Sequence, residues 1–285
     1  MTDVRLLGAA DIRRLAGELD VTPTKKLGQN FVVDANTVRK IVHTARVAPA
    51  ERVVEIGPGL GSLTLAILEQ GASVTAVEID SRLASRLAQT AAEQGVPSGQ
   101  LTVVEHDAMT IAELPGDPEV LVANLPYNVS VPVLLHFMQT FPSLSRGVVM
   151  VQAEVGERLA ASPGSKIYGS PSAKAAWYGS WRLVGTVSRQ VFWPVPNVDS
   201  VLVGFERSAE PLGSVAEREA TFRIIDLAFQ QRRKMLRQAL SRELGGSAAS
   251  ASEILEAAGV EPTARGESLD VHAFRRIAQA AGRAD

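Results

Sequence analysis

Six short runs of branched apolar residues precede residue 207. They begin with VVEI at Val53 and continue as Ser73 to Val77, Leu101 to Glu105, Val120 to Ala123, Val148 to Val151 and Val201 to Phe205. Their length and β-branched content predict buried strands. Asp11 to Leu19, Ala35 to Ala45 and Ser62 to Gln70 place apolar side chains at helical spacing instead. Strands alternating with helices predict an α/β domain on a mainly parallel sheet. Past Arg207 the strand pattern stops, and a short linker with Ser, Pro and Gly leads into helical patterns at Phe222 to Leu240, Ala251 to Gly259 and Val271 to Ala281. The expected organisation is therefore an α/β domain over residues 1–207 and a small all-helical domain over 208–285.

The α/β domain is organised around VVEIGPGLG, Val53 to Gly61, which reads as a buried strand, a tight glycine turn and the start of a helix. Gly57, Gly59 and Gly61 let backbone approach a ligand closely, because no Cβ intervenes. The third glycine arrives one residue early for a dinucleotide fingerprint. The spacing E-x-G-x-G-x-G resembles instead the first motif of Rossmann-like methyltransferases that use S-adenosylmethionine. About 20 residues past the first glycine the next strand ends in Glu78, where such folds direct a carboxylate at the ribose hydroxyls. Ile79 follows it, and Asp80 is expected to cap the next helix. The third strand ends at His106-Asp107-Ala108. Asp107 stands at the ligand side of a parallel sheet, placed to accept from an adenine amine, with Ala108 beside it; His106 reads as structural.

The fourth strand runs into Asn124-Leu125-Pro126-Tyr127, the most specific signal in the chain. An exocyclic adenine amine shares its lone pair with the ring and is a poor nucleophile while planar. Acceptors around its two hydrogens favour a pyramidal nitrogen. The Asn124 amide oxygen can supply one and the backbone carbonyl of Leu125 or Pro126 the other. Proline stiffens the turn, and Tyr127 offers a face on which a base can stack.

These motifs do not stand alone. The Asn-Leu-Pro-Tyr form resembles the N-[LIV]-P-[YF] motif of RNA adenine methylases. Lys25-Lys-Leu-Gly-Gln-Asn-Phe31 is similar to the loop that covers the cofactor in rRNA adenine dimethyltransferases. The stretch Gln152 to Gly169, the Phe192-Trp-Pro-Val-Pro-Asn-Val-Asp-Ser200 loop and Phe229 to Arg237 match three further segments of that family. The chain is identified as a member of the small-subunit rRNA adenine N6-dimethyltransferase family, over Lys25 to Leu269. The resemblance implies a Rossmann-like S-adenosylmethionine-dependent methyltransferase domain followed by a small helical RNA-docking domain. It implies transfer of two methyl groups to each of two adjacent adenines in a hairpin loop near the 3′ end of 16S rRNA, within the assembling 30S subunit. It places Asn30 and the backbone of Val32 on the cofactor and Phe192 against the target base, with Trp193 packing the loop. Lys25, Lys26, Lys166, Arg232, Arg233, Lys234 and Arg237 fall to RNA. Ser170 to Ser180 departs from the family pattern. Two other readings stay open: a macrolide-resistance methyltransferase acting on large-subunit rRNA, and a non-catalytic RNA-binding assembly or transcription factor on the same fold.

Composition adjusts this picture only slightly. A net charge of −2 is less basic than RNA binding commonly brings, but Gln230 to Arg242 holds five basic residues and no acid. The chain has no cysteine and four scattered histidines, so neither a disulfide framework nor a metal site is expected. No apolar run of spanning length or leader pattern occurs, which predicts a cytoplasmic protein without membrane partners. A monomer is expected.

Overall fold

The computed structural model describes residues 4–21, 30–126 and 129–282. The chain divides into two compact units, Met1–Gly156 with Arg182–Arg207, and Glu157–Trp181 with Ser208–Asp285.

In the first unit the chain runs α1 (Ala9–Glu18), β1 (Phe31–Val32), α2 (Ala35–Thr44), β2 (Arg52–Ile56), α3 (Ser62–Glu69), β3 (Ser73–Glu78), α4 (Ser81–Glu93), β4 (Leu101–Glu105), β5 (Val120–Asn124), α5 (Ser130–Thr140), β6 (Arg146–Gln152) and into α6 (Ala153–Leu159). Seven strands form the main sheet in the order β4-β3-β2-β5-β6-β9-β7, in which β7 is Gly179–Val187 and β9 is Ser200–Arg207. Neighbours from β4 to β6 are parallel, and β9 runs antiparallel to β6. Val53, Val54 and Val120 to Ala123 are buried, as parallel strands covered on both faces require. Order reverses between β2 and β5. The carboxyl ends of these two strands therefore open a crevice at the topological switch point.

Local chemistry explains the helix starts. Asp34 caps α2 by accepting from Thr37 N at 2.7 Å, and Asp80 caps α4 by accepting from Arg82 N at 3.0 Å. Helix α1 packs Ile12, Leu15 and Ala16 into a cluster with Leu60, Leu65 and Leu83. Strand β7 was not among the predicted strands. It lies at the sheet edge with Leu183 exposed, so its alternation carries little burial signal. A second, two-stranded ladder pairs β1 with β8 (Phe192–Trp193), in register Phe31 with Trp193 and Val32 with Phe192.

The second unit holds α7 (Ser170–Ala176), α8 (Val215–Gln230), α9 (Leu236–Ala239), α10 (Ala248–Ala257) and α11 (Val271–Ala281). Residues 157–181, expected in the α/β domain, belong here. Tyr168 and Ala173 share a buried cluster with Ile224, Ile225, Phe274 and Ile277. The Tyr168 hydroxyl donates to Leu269 O at 2.8 Å, Lys174 pairs with Asp226 at 2.7 Å, and Trp177 and Tyr178 pack edge-on against Phe222. The divergent Ser170 to Ser180 segment is thus largely buried packing. The single helix expected from Phe222 to Leu240 is broken. It starts earlier, at the Ser214–Glu217 capping box, and stops at Gln230, because Leu236 N and Arg237 N donate to Ala264 O and Pro262 O instead of continuing the helix.

Candidate active site

A cavity of about 310 Å³ opens at the switch point. One wall is the glycine turn between β2 and α3. Gly57, Gly59 and Gly61 have φ of +67°, +58° and +97°, a region that L side chains rarely adopt. A Cβ at Gly59 would stand 2.9 Å from the Phe31 ring, and one at Gly61 would stand 2.8 Å from Leu87, so these two turns require glycine on two counts.

The second wall is the end of β3. Glu78 is 6% exposed; its Oε2 accepts from Gly59 N at 3.1 Å and its Oε1 from Ile79 N and Asp80 N at 3.0 Å each. Burial raises its pKa, and these three N–H bonds oppose the rise. The carboxylate thereby ties the glycine turn to the start of α4 at the position expected for the ribose acceptor. Ile79 lines the cavity 63% exposed, an apolar side chain left open beside an acid.

The third wall is the end of β4. Asp107 Oδ1 accepts from Met109 N at 2.8 Å, and His106 Nδ1 lies 3.0 Å from Asp107 O. Asp107, Ala108 and Met109 all face the same cavity.

The fourth wall joins β5 to β1. Asn124 Nδ2 donates to Asn30 O at 3.1 Å, which fixes the amide's donor end and leaves Oδ1 as its acceptor. Leu125 is buried with its N–H on Met150 O at 3.0 Å, while Pro126 O accepts from Val129 N at 3.4 Å. Val32 O accepts from Ser62 Oγ at 2.8 Å, so that carbonyl anchors β1 to α3.

Thus Asn30, Val32, Gly57, Gly59, Glu78, Ile79, Asp107, Ala108, Asn124, Leu125 and Pro126 all line one cavity. Tyr127, Lys25 and Lys26 lie outside the described residues. Phe192 does not meet its expectation. It is 2% exposed in the sheet core with Val32 and Leu202, and the cavity walls do not include it. Adjacent strand residues point to opposite faces, so in β8 Phe192 turns inward with Val32 while Trp193 turns to the other side with Phe31.

Glu55 is the residue that sequence reasoning left without a role. It is 1% exposed, lines the cavity floor and accepts from Thr64 Oγ1 at 2.6 Å. Burial pushes its carboxyl up to about 8, the Thr64 bond pulls it down, and the Glu78 charge adds to the rise. The available signal was an acid inside an otherwise apolar strand.

In the second unit, Arg233 and Lys234 are exposed on the turn between α8 and α9, and Arg237 is half-buried. Arg232 is committed within the protein. Its Nε pairs with Glu267 at 2.9 Å and its Nη2 donates to the carbonyl of Lys166, an exposed residue. Among the described residues no group of His, Asp and Glu could hold a metal ion, and no helix is long and apolar enough to cross a membrane.

The sheet order, the glycine turn opening α3 and the acids at successive strand ends define a Rossmann-like methyltransferase fold. A solved dimethyladenosine transferase from Plasmodium falciparum shares that fold with a TM-score of 0.73 at 24% identity, over 86% of this chain and 94% of that one. A solved 23S rRNA methyltransferase, ErmE, gives 0.66 at 26% identity, over 89% of this chain and 100% of that one. The ribosomal RNA adenine dimethylase family matches residues 22–277, and the chain belongs to that family. A relative from Leifsonia xyli subsp. xyli is 63% identical over 279 residues, covering 98% of this chain and 99% of the relative. One from Streptomyces coelicolor is 58% identical over 276 residues, covering 96% of each. Both relatives are named ribosomal RNA small subunit methyltransferase A.

Proposed function

We propose that this protein uses S-adenosylmethionine to dimethylate the N6 amines of two adjacent adenosines in a hairpin loop near the 3′ end of 16S rRNA, acting as a monomer on the assembling 30S subunit. The observation that carries the reading is the Asn124 amide. It is held by Asn30 O at the switch-point cavity, on a strand end facing the acids of β3 and β4. The names and identity of the two relatives favour the small subunit over the large-subunit alternative, whose solved example is far less similar.

The residues present fit the cofactor. Glu78 faces the cavity as a carboxylate for paired ribose hydroxyls, and Asp107 as an acceptor for the adenine amine. Ile79 and Met109 offer exposed apolar surface to a flat ring, and Gly57 and Gly59 let backbone come close. When bound, the cofactor supplies an electrophilic methyl group on a sulfonium sulfur. The protein's part is alignment. Asn124 Oδ1 accepts one N6 hydrogen and the carbonyl of Leu125 or Pro126 the other, so the amine lone pair is turned out of the ring plane toward the methyl. Pro126 O already receives Val129 N–H, which favours Leu125 for this task. The methyl–sulfur bond would break as the N–C bond forms, leaving a neutral thioether, and the nitrogen, cationic once methylated, would lose its proton to water, so no strong base is needed. Alignment of this kind is worth up to ~7 to 11 kcal/mol of barrier. Arg233, Lys234 and Arg237 are the basic side chains available to phosphates, with Lys166 and, on sequence grounds, Lys25 and Lys26.

The test is transfer of labelled methyl groups to unmodified 30S particles, 50S particles and naked rRNA, with mass spectrometry of the digested nucleosides. Dimethyladenosine confined to the 30S reaction supports the proposal. Product on 50S particles would move the assignment to the large-subunit alternative. Cofactor and RNA binding without product would leave a non-catalytic factor. Asn124→Ala is expected to keep cofactor affinity and lose most turnover.

A further inference from the structure

Strand order lays out the cavity as a succession of chemistries. Asp107 follows β4, Glu78 ends β3, Glu55 lies in β2 and Asn124 ends β5, on four strands adjacent in that order. In the cofactor reading Asp107 takes the adenine amine, Glu78 the ribose, and Asn124 the amine that is methylated. The methionine end of the cofactor, between ribose and methyl acceptor, then falls over β2. That end carries a sulfonium and an α-ammonium against one carboxylate, a net positive charge. A cation that leaves water for such a cavity needs a counter-charge there. On β2 the cavity offers one acid, Glu55, on its floor.

Glu55 is built to stay neutral until that charge arrives. Its side chain is buried, and among the described residues its one hydrogen bond is that of Oε2 with Thr64 Oγ1 at 2.6 Å; Oε1 takes none, in a residue that lines the cavity. Of the elements around it, α3 presents the Thr64 hydroxyl, β5 the uncharged Asn124, and β3 the Glu78 carboxylate, whose like charge resists a second ionisation. Asp80, His106 and Asp107 complete the titratable groups of the cavity, and the described residues that line it include no Lys or Arg. Burial and Glu78 hold the Glu55 carboxyl up at about 8 against the Thr64 bond, so in the protein alone it is protonated at pH 7.

We propose that Glu55 is the counter-carboxylate for the cationic methionine end of the cofactor, and that cofactor binding ionises it: the O–H bond breaks, the proton passes to solvent, and the carboxylate stays paired with the incoming charge. This rests on the cofactor reading of the cavity and goes beyond it by giving the floor acid a role and by making cofactor affinity proton-linked.

The test is titration calorimetry of the full-length protein with S-adenosylmethionine, in two buffers of different ionisation enthalpy, for wild type and Glu55→Gln. The difference between the two proteins cancels the ligand's own titration and reads Glu55 with its coupling to Glu78. At pH 7 wild type is expected to release about 0.9 proton more than the variant per cofactor bound, and at pH 9 only about 0.1. The ionised form is the one that binds, so affinity rises with pH. Relative to Glu55→Gln, wild-type affinity is expected to rise ~10-fold from pH 6 to 7 and about as much again from pH 7 to 9, then to level off. A merely structural carboxyl would move neither quantity. Thr64→Val removes the bond that favours the charged form and is expected to shift the wild-type profile to higher pH; it carries the test if Glu55→Gln fails to fold. The same titration with S-adenosylhomocysteine, which keeps the ammonium and lacks the sulfonium, assigns the paired charge: equal release means the ammonium, and release with the methyl donor alone means the sulfonium. Equal proton release by wild type and Glu55→Gln, with cofactor bound by both, would overturn the proposal and leave the cofactor reading standing. A pH profile that Thr64→Val leaves in place would overturn it too, because the titrating group would then lie elsewhere. No binding by wild type would overturn the cofactor reading and the proposal with it.

Discussion

Replacing Glu55 by glutamine is expected to stabilise the protein, by an amount that grows with pH. The buried carboxyl has its pKa pushed from the ordinary 4.5 to about 8, first by burial and further by the charge of Glu78, against the opposing bond from Thr64. The unfolded chain therefore ionises Glu55 some pH units before the fold does. Between those values unfolding releases a proton, so the group's contribution to stability is fully present below about 4.5, falls as pH rises, and levels off above about 8. At 1.36 kcal/mol per unit, the loss is on the order of 2 kcal/mol between pH 5 and 7 and about 1 kcal/mol more by pH 9. Glutamine keeps the size and the acceptor oxygen that Thr64 needs, and it does not titrate. Urea unfolding of wild type and Glu55→Gln at pH 5, 7 and 9, without cofactor, reads the effect of Glu55 with its coupling to Glu78, because titrating groups that do not interact with Glu55 cancel in the difference. The variant should match wild type near pH 5 and exceed it increasingly at pH 7 and 9. A difference that does not change with pH would refute the argument that Glu55 is held neutral by its burial.

Glu217 should behave with the opposite sign. Its carboxylate is held down to about 2 by the Ser214 N–H, Arg275 and Gln279, so its support for the α8–α11 pairing is present above about 4.5 and lost as pH falls toward 2. Hydrogen exchange in α11 should separate wild type from Glu217→Gln at pH 6, and the two should converge in strong acid. Gly59→Ala is expected to cost ~1 to 3 kcal/mol in urea unfolding, from its positive φ and the Phe31 ring, and to weaken cofactor binding measured by calorimetry. Arg233→Ala with Lys234→Ala should leave catalysis on saturating particles intact, weaken particle binding, and reduce the slope of log affinity against log salt. An unchanged slope would remove these side chains from the RNA contact.

The parts of the site that the sequence makes legible sit where a local signal and a topological rule coincide. The glycine turn, Glu78, Asp107 and Asn124 each follow a run of branched apolar residues, and a parallel sheet gathers such strand ends on one side. What sequence could not show depends on distant partners. Whether Phe192 or Trp193 faces inward is decided by the pairing of β8 with β1, two residues long and some 160 positions away. The break after Gln230 comes from carbonyls at Pro262 and Ala264 that compete for helix amides. The basic run ends up on a turn for that reason, and Arg232 is drawn into an ion pair with Glu267. Tyr168 looks like a loop residue until the helices that bury it are known.

The excursion of the chain between Gly156 and Arg182 bears on how this protein is made and how it can be divided. As synthesis proceeds, β6 is complete long before β9, its antiparallel neighbour, which emerges only after residues 157–181 have been translated. Those residues hold Tyr168, Ala173, Trp177 and Tyr178, whose apolar partners are encoded from Phe222 onward. The nascent chain must therefore carry an uncovered apolar segment while the catalytic sheet closes. A cut after Arg207 would make that exposure permanent. Separating the two units cleanly takes a short bridge in place of residues 157–181 rather than a truncation, and the aggregation state of those two products would report which parts of the chain shelter one another during biogenesis.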